Sequence, residues 1–291
     1  MYEEKRPMNS KRQYTVAIIG AGRIAAFFDT PASTHILTHA HAITKNSRLK
    51  LVGFADTNVR AGREAAKVWK TSFFSSAKKL FTAAKPDIVV IATPDKTHVS
   101  LMVELSRLKP RLIICEKPVV TRKSDIAKLK KRRLPPVIVN YSRRFDPVVQ
   151  KVAGEIKKGL WGKIIAARGI YTGSLLHNGS HLVDLGRFLL PNVTIQLTEG
   201  DAKAYSLFEL DILTSKGRLR FIESGQKLMI ERPHKDPLYR GFVTLGRASI
   251  QKTGLHDALP NLYRHAIAVL DGKKSASPNL TEALKTESEV L

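Results

Sequence analysis

Lys117 follows the apolar run Leu112-Ile113-Ile114-Cys115, inside the step Glu116-Lys117-Pro118, and Thr93-Pro94 stands in the same relation to the run Ile88 to Ala92. Such runs read as buried parallel strands, and open α/β sheets bind ligands beyond the carboxyl ends of their strands. An ammonium at that edge can donate a hydrogen bond to a carbinol or carbonyl oxygen and stabilise the charge that develops when a hydride moves. By itself, a lysine at a strand end is more often a solvated surface group.

A second chemical signal precedes it. Val16-Ala17-Ile18-Ile19 runs into Gly20-Ala21-Gly22-Arg23-Ile24-Ala25, with a helical segment expected next. In a strand-turn-helix setting Gly20 allows the tight turn, Gly22 lets backbone approach a pyrophosphate, and Ala25 allows close helix-strand packing. The helix start would offer unpaired N–H groups to the anion. Asp56 ends the run Leu51 to Ala55, where a carboxylate can accept hydrogen bonds from ribose hydroxyls and repel a 2'-phosphate, favouring NAD over NADP. Asp56 could instead cap the helix that begins near Asn58, and Arg60 keeps NADP open.

Certain elements must hold these residues. Strand-like runs at 15–19, 49–55, 87–92, 111–115 and 137–140 alternate with helical stretches at 58–69, 97–108 and 125–133. That rhythm predicts βαβ units and a doubly wound parallel sheet, a Rossmann domain over residues 14–142. Residues 1–13 read as a mobile tail. Residues 143–291 are expected to form a substrate and oligomerisation domain of α+β type. Helices at 148–158 and 180–190 would pack there on a mixed, largely antiparallel open sheet of strands at 163–171, 193–198, 204–213, 218–222 and 227–231, with helices at 256–270 and 281–291 closing the chain.

The 291 residues carry enough apolar material for two cores, 43% by composition. The single cysteine excludes a disulfide framework or cysteine metal cluster and suggests a reducing, cytoplasmic setting. No apolar run reaches the roughly 18 residues of a membrane span. The net charge is +24, and nearly all the excess lies in residues 1–200. Its densest stretch, Arg122 to Arg133, reads first as a solvated helix face. Attraction of an anionic substrate is the functional alternative, and the lack of interleaved aromatics or glycines argues against nucleic acid. His35, His39 and His41 are spaced like metal ligands, but no carboxylate or cysteine accompanies them, so no metal is expected.

Five segments together resemble the glucose-fructose oxidoreductase, inositol dehydrogenase and MocA family: Gly20 to Ile24, Ala92-Thr93-Pro94-Asp95-Lys96-Thr97-His98, Glu116-Lys117-Pro118, Arg143-Arg144-Phe145-Asp146-Pro147, and His177-Asn178-Gly179-Ser180-His181-Leu182-Val183-Asp184. The resemblance spans about residues 14 to 190 in family order. It implies NAD(P)-linked oxidation or reduction of a sugar, polyol or nucleotide sugar bound between the domains, in a protein that often oligomerises through its second sheet. Gly20, Gly22, Arg23, Ile24, Asp56, Thr93, Pro94, His98 and Glu116 would then line the cofactor. Lys117 matches the family's catalytic lysine and His181 its histidine. Asp184, one helical turn on, would orient that imidazole or touch a hydroxyl, with Arg144 and Tyr171 as further substrate contacts. The family's aspartate four residues before the histidine is His177 here, which would alter the proton relay, substitute as a polar contact, or mark a non-catalytic dinucleotide-binding sensor or scaffold.

Overall fold

A computed structural model describes residues 12–291; the expected tail at 1–13 lies outside this range except for its last two residues. Those two are tied down: the Arg12 guanidinium bonds Asp87 and the Gln13 amide bonds the Ser47 carbonyl.

The first sheet consists of β1 (Tyr14–Ile19), β2 (Leu49–Ala55), β3 (Phe73–Phe74), β4 (Ile88–Ile91), β5 (Leu112–Cys115) and β6 (Val137–Val139). Its order is β3-β2-β1-β4-β5-β6 and every pairing is parallel. Every residue of β4 and β5 is buried, as a sheet covered on both faces requires. The order reverses between β1 and β4, the switch point where such sheets open a crevice. The helices of this part are α1 (His39–Thr44), α2 (Val59–Val68), α3 (Ala77–Ala84), α4 (His98–Leu108) and α5 (Lys123–Lys130). The Asn58 side chain caps α2 by accepting from Ala61 N, so that role does not fall to Asp56.

Beyond β6 come α6 (Pro147–Lys157), β7 (Ile164–Thr172), α7 (Ser180–Leu189), β8 (Gln196–Gly200), β9 (Phe208–Thr214), β10 (Gly217–Ile222), β11 (Lys227–Glu231), β12 (Pro233–Lys235), β13 (Val243–Leu245) and β14 (Ser249–Lys252). The second sheet runs β14-β11-β10-β9-β7-β8, antiparallel except for the β7–β8 pair. Strands β12 to β14 were not foreseen from the sequence. Phe208, Leu210 and Ile212 of β9 alternate inward against Leu182, Leu185 and Leu189 of α7, which defines this domain's core.

The last two helices, α8 (Ala258–Leu270) and α9 (Leu280–Val290), return to the first sheet. Leu262, Tyr263 and Ala266 join the core that holds Val16, Ile18 and Val90; Ala283 and Leu284 join the opposite core with Ile91, Ile113 and Val139. The C-terminal part of the expected second domain is therefore packed on the first sheet, because the apolar faces of α8 and α9 have their partners there. The seven basic side chains from Arg122 to Arg133 are all exposed, on α5 and at its two ends, whereas Leu129 of that helix is buried.

Candidate active site

Gly20 has φ +100, and a side chain there would collide with the Ala92 carbonyl oxygen, so β1 can turn next to β4 only with glycine at this position. Gly22 has φ −85, yet nothing lies within 4 Å of where its Cβ would stand. That open space above a glycine fits a pyrophosphate approaching the backbone. The helix after the turn is shorter than expected: Arg23–Phe27 make a single wide turn, and Asp29 then organises the loop by accepting from Leu37 N at 2.6 Å and from His41 Nδ1 at 2.8 Å. Arg23 lies over the Phe28 ring at 4.7 Å. Asp56 stands at the end of β2, with Oδ2 accepting from Ala21 N and Oδ1 from Asn58 N, both at 2.7 Å. It therefore braces the glycine turn from the side where an adenosine ribose would lie.

At the end of β4, Thr93 Oγ1 accepts from Thr97 Oγ1 at 2.7 Å. His98 is 1% exposed, its Nδ1 facing the Pro118 carbonyl at 2.7 Å and its Nε2 the Thr93 carbonyl at 2.8 Å. It thus clamps the turn at Thr93-Pro94 to the turn at Lys117-Pro118 from beneath. After β5, Glu116 Oε1 accepts from His39 Nε2 at 2.8 Å and from Asn140 Nδ2 at 2.6 Å, and His39 Nδ1 meets the Tyr263 hydroxyl at 2.8 Å. Burial works to raise the Glu116 carboxyl, but the bonds from His39 and Asn140 with the charge of Lys117 hold it below the usual range. His39 and His41 are thus given to separate partners, Glu116 and Asp29.

Lys117 and His181 line one cleft of about 330 Å³ between the two sheets, together with Glu116, Asn140, Ser142, Arg143 and Leu255. Lys117 Nζ donates to the His177 carbonyl oxygen at 3.0 Å. Burial pulls its pKa below the ordinary lysine value, against the opposing charge of Glu116 and with the help of Arg143. The His181 ring meets Tyr141 edge-on, and its buried Nδ1 has no hydrogen-bond partner. Burial, then the charges of Arg143 and Lys117, push its pKa well below the usual histidine value, which favours the neutral ring. His177 belongs to the same neighbourhood: Nε2 meets Asp95 Oδ2 at 3.0 Å and Nδ1 meets Ser174 Oγ at 2.8 Å.

Three expected substrate contacts are turned elsewhere. Asp184 does not reach His181; it pairs with Arg144 through Nε at 2.8 Å and Nη2 at 2.6 Å, and Arg144 Nη1 also reaches Glu282 at 2.7 Å. Both residues are nearly inaccessible, so each charge is consumed in neutralising the other. Tyr171 is 3% exposed, its hydroxyl bonded to Glu199 at 3.0 Å, and its ring packs under Gly179 to support the turn before α7.

Four residues of this neighbourhood were not given a role beforehand: Asn140, Glu287, and Arg143 and Asp95, which stood only within the segments of the family resemblance. Glu287, on α9, accepts from Val119 N at 2.7 Å, Val120 N at 2.9 Å and the Tyr141 hydroxyl at 3.2 Å, which fixes the loop that follows Lys117. Asn140 was detectable as one more strand end on the carboxyl edge. Glu287 had no local signal.

Residues 14–133 match the oxidoreductase family with an NAD-binding Rossmann fold. The chain is similar to an inositol 2-dehydrogenase of Rhizobium meliloti, 26% identical over a segment covering 72% of this chain and 68% of that one. An oxidoreductase of Agrobacterium radiobacter, solved with NAD+, L-tartaric acid and magnesium, superposes with a TM-score of 0.71 at 17% identity, covering 96% of this chain and 94% of that one. A 3-ketoreductase of Actinomadura kijaniata, solved with NADP and TDP-benzene, does so with a TM-score of 0.73 at 16% identity, covering 96% of both. Those two likenesses are of fold.

Proposed function

We propose that this chain, whose residues 14–133 match the Gfo/Idh/MocA oxidoreductase family, is an NAD(P)-dependent dehydrogenase or reductase acting at a secondary alcohol or ketone of a sugar, polyol or nucleotide sugar. The observation that carries the reading is the convergence of Lys117 and His181 on one cleft, with both pKa values displaced toward the neutral forms that exchange protons. The nicotinamide dinucleotide, when bound, supplies the hydride acceptor or donor. Gly20, Gly22 and Asp56 hold it, with Arg23, Ile24, Thr93, Pro94 and Glu116 along its path and His98 keeping the two strand-end turns in register.

Lys117 donates a hydrogen bond to the reacting oxygen and stabilises the negative charge that grows there. His181 takes the hydroxyl proton in oxidation and returns it in reduction. His177 holds Lys117 through its carbonyl oxygen and reaches Asp95 with its ring, so it positions the ammonium rather than acting on substrate. The Asp56 carboxylate favours NAD over NADP by repelling a 2'-phosphate. Apolar side chains on the outward face of the second sheet, Ile165, Ile170, Leu213 and Ile250, support homo-oligomerisation through that face.

The test is nicotinamide absorbance with the purified protein, NAD or NADP, and a panel of polyols, sugars and nucleotide sugars. Turnover of one class supports the reading. Tight NAD(H) binding without turnover of any would favour a dinucleotide sensor.

A further inference from the structure

The interdomain cleft holds a positive charge that the protein itself does not neutralise. Arg143 is the residue before the ion-paired Arg144, yet its guanidinium has no carboxylate within ion-pair distance among the described residues. Its Cζ lies over the Phe208 ring, 3.4 Å from the centroid, and its one hydrogen bond among the described residues runs from Nη2 to the Ser224 carbonyl at a long 3.4 Å. Nε is buried and unpartnered beside Gly225. Asp146, the one carboxylate acting on its charge, is occupied at the start of α6, where it accepts from Val148 N at 2.7 Å. Burial lowers the Arg143 pKa to about 10.

A half-buried, poorly bonded cation is costly, and such a charge normally has a counter-ion. Here the neighbourhood adds to the cost, because Arg143 also depresses the pKa values of Lys117 and His181 in the same cleft. Glu116, the acid in that cleft, is already bonded to His39 and Asn140. Asn140 is 6% exposed, and with its amide nitrogen given to Glu116 its Oδ1 is left without a donor. The cleft thus offers a fixed cation beside an unused acceptor, the complement of an oxyanion next to a hydroxyl.

We propose that Arg143 is the specificity residue for an anionic substrate: a sugar or polyol derivative bearing a carboxylate or phosphate, whose oxyanion sits on the Arg143 guanidinium while a hydroxyl donates to Asn140 Oδ1. The proposal rests on the dehydrogenase reading for which group reacts, but not for the binding itself. The contact with Phe208 holds the guanidinium in the cleft, and planar two-donor recognition is what arginine provides and lysine does not. The anion would supply the missing counter-charge.

Calorimetric titration of the NAD-loaded protein tests this directly with matched probes: D-glucose and myo-inositol as neutral ligands, D-gluconate and D-glucuronate as carboxylates, and glucose 6-phosphate. The expected result is at least about tenfold tighter binding of a carboxylate or phosphate than of the neutral ligands, the two anion classes being told apart by which probe gains. In Arg143→Gln that preference should vanish while neutral binding stays within about threefold, and Arg143→Lys should recover only part of it. Because the substitution removes an uncompensated half-buried charge, Arg143→Gln should melt no lower than wild type without ligand, and anions should no longer raise its melting temperature. Equal binding of neutral and anionic probes by wild type, or a loss in Arg143→Gln that is the same for both, overturns the proposal. Charge-selective binding without NAD-linked turnover would sink the dehydrogenase reading alone; NAD-linked turnover by wild type with no preference for the anionic probes over the neutral ones would sink this one alone.

Discussion

Lys117 Nζ donates a 3.0 Å hydrogen bond to the main-chain oxygen of His177, so the last turn of the first sheet's ligand edge is joined to the turn that opens α7. A carbonyl can accept from the ammonium without taking its proton, so the contact aims Lys117 without quenching its chemistry. Everything that moves either turn should then reach catalysis.

Glu287 is the main support on the Lys117 side. Glu287→Ala leaves the Val119 and Val120 amides buried and unpaired, and should cost about 1–3 kcal/mol for each group left unsatisfied, measured by urea unfolding. The pH dependence has a definite sign. Burial raises the Glu287 pKa from its ordinary 4.5 to about 7 in the folded protein. Folding therefore takes up a proton between those values, and the stabilisation is fullest below 4.5 and is lost as pH rises through 7. The stability gap between wild type and Glu287→Ala should be larger at pH 5 than at pH 8; a gap that grows with pH would contradict this.

Asp184 and Arg144 should behave as a buried pair and not as substrate ligands. Asp184→Ala leaves the Arg144 charge with Glu282 alone and should destabilise by roughly 3–5 kcal/mol, with KM of the remaining folded enzyme little changed. An unchanged melting temperature with a raised KM would return Asp184 to the substrate.

Much of this site was legible in the sequence, for a physical reason. Gly20, Asp56, Thr93 and Lys117 stand at ends of parallel strands, so once the strands are located the backbone fixes their neighbourhood. His181 came from the family resemblance, and it stands in the first turn of α7. The errors lie where long-range partners decide. Arg143 and Arg144 are adjacent in one 3-10 turn, Ser142–Phe145, and only the positions of Asp184 and Phe208 settle which one enters the cleft. Tyr171 alternates inward on β7. Asp184 was given to His181 by helical spacing alone, which does not register an arginine packed against the same face. Nor does the apolar periodicity of α8 and α9 say which of two cores will receive them.

Asp56 braces the glycine turn through Ala21 N, and the proposed preference for NAD rests on the same carboxylate. Asp56→Ala should lower the ratio of kcat/KM with NAD to that with NADP by at least about tenfold, the scale of one lost charge-assisted hydrogen bond. It should also weaken NAD itself, because Ala21 N loses its partner. An unchanged ratio would remove Asp56 from cofactor selection.

The outward sheet face should mediate self-association. Light scattering should give a mass above one chain for wild type and one chain for the double variant Ile170→Asp with Ile250→Asp, both residues being exposed on that face. A monomeric wild type at working concentration would refute the surface.

The central claim is that Lys117 acts on the reacting oxygen in a site that holds NAD independently of it. The decisive measurement is kcat/KM of Lys117→Ala on whichever substrate wild type turns over, paired with NADH affinity by fluorescence titration. A loss of roughly 10²–10⁴-fold in kcat/KM with NADH binding within about threefold of wild type is the predicted result. Turnover that survives the substitution unchanged would contradict the account.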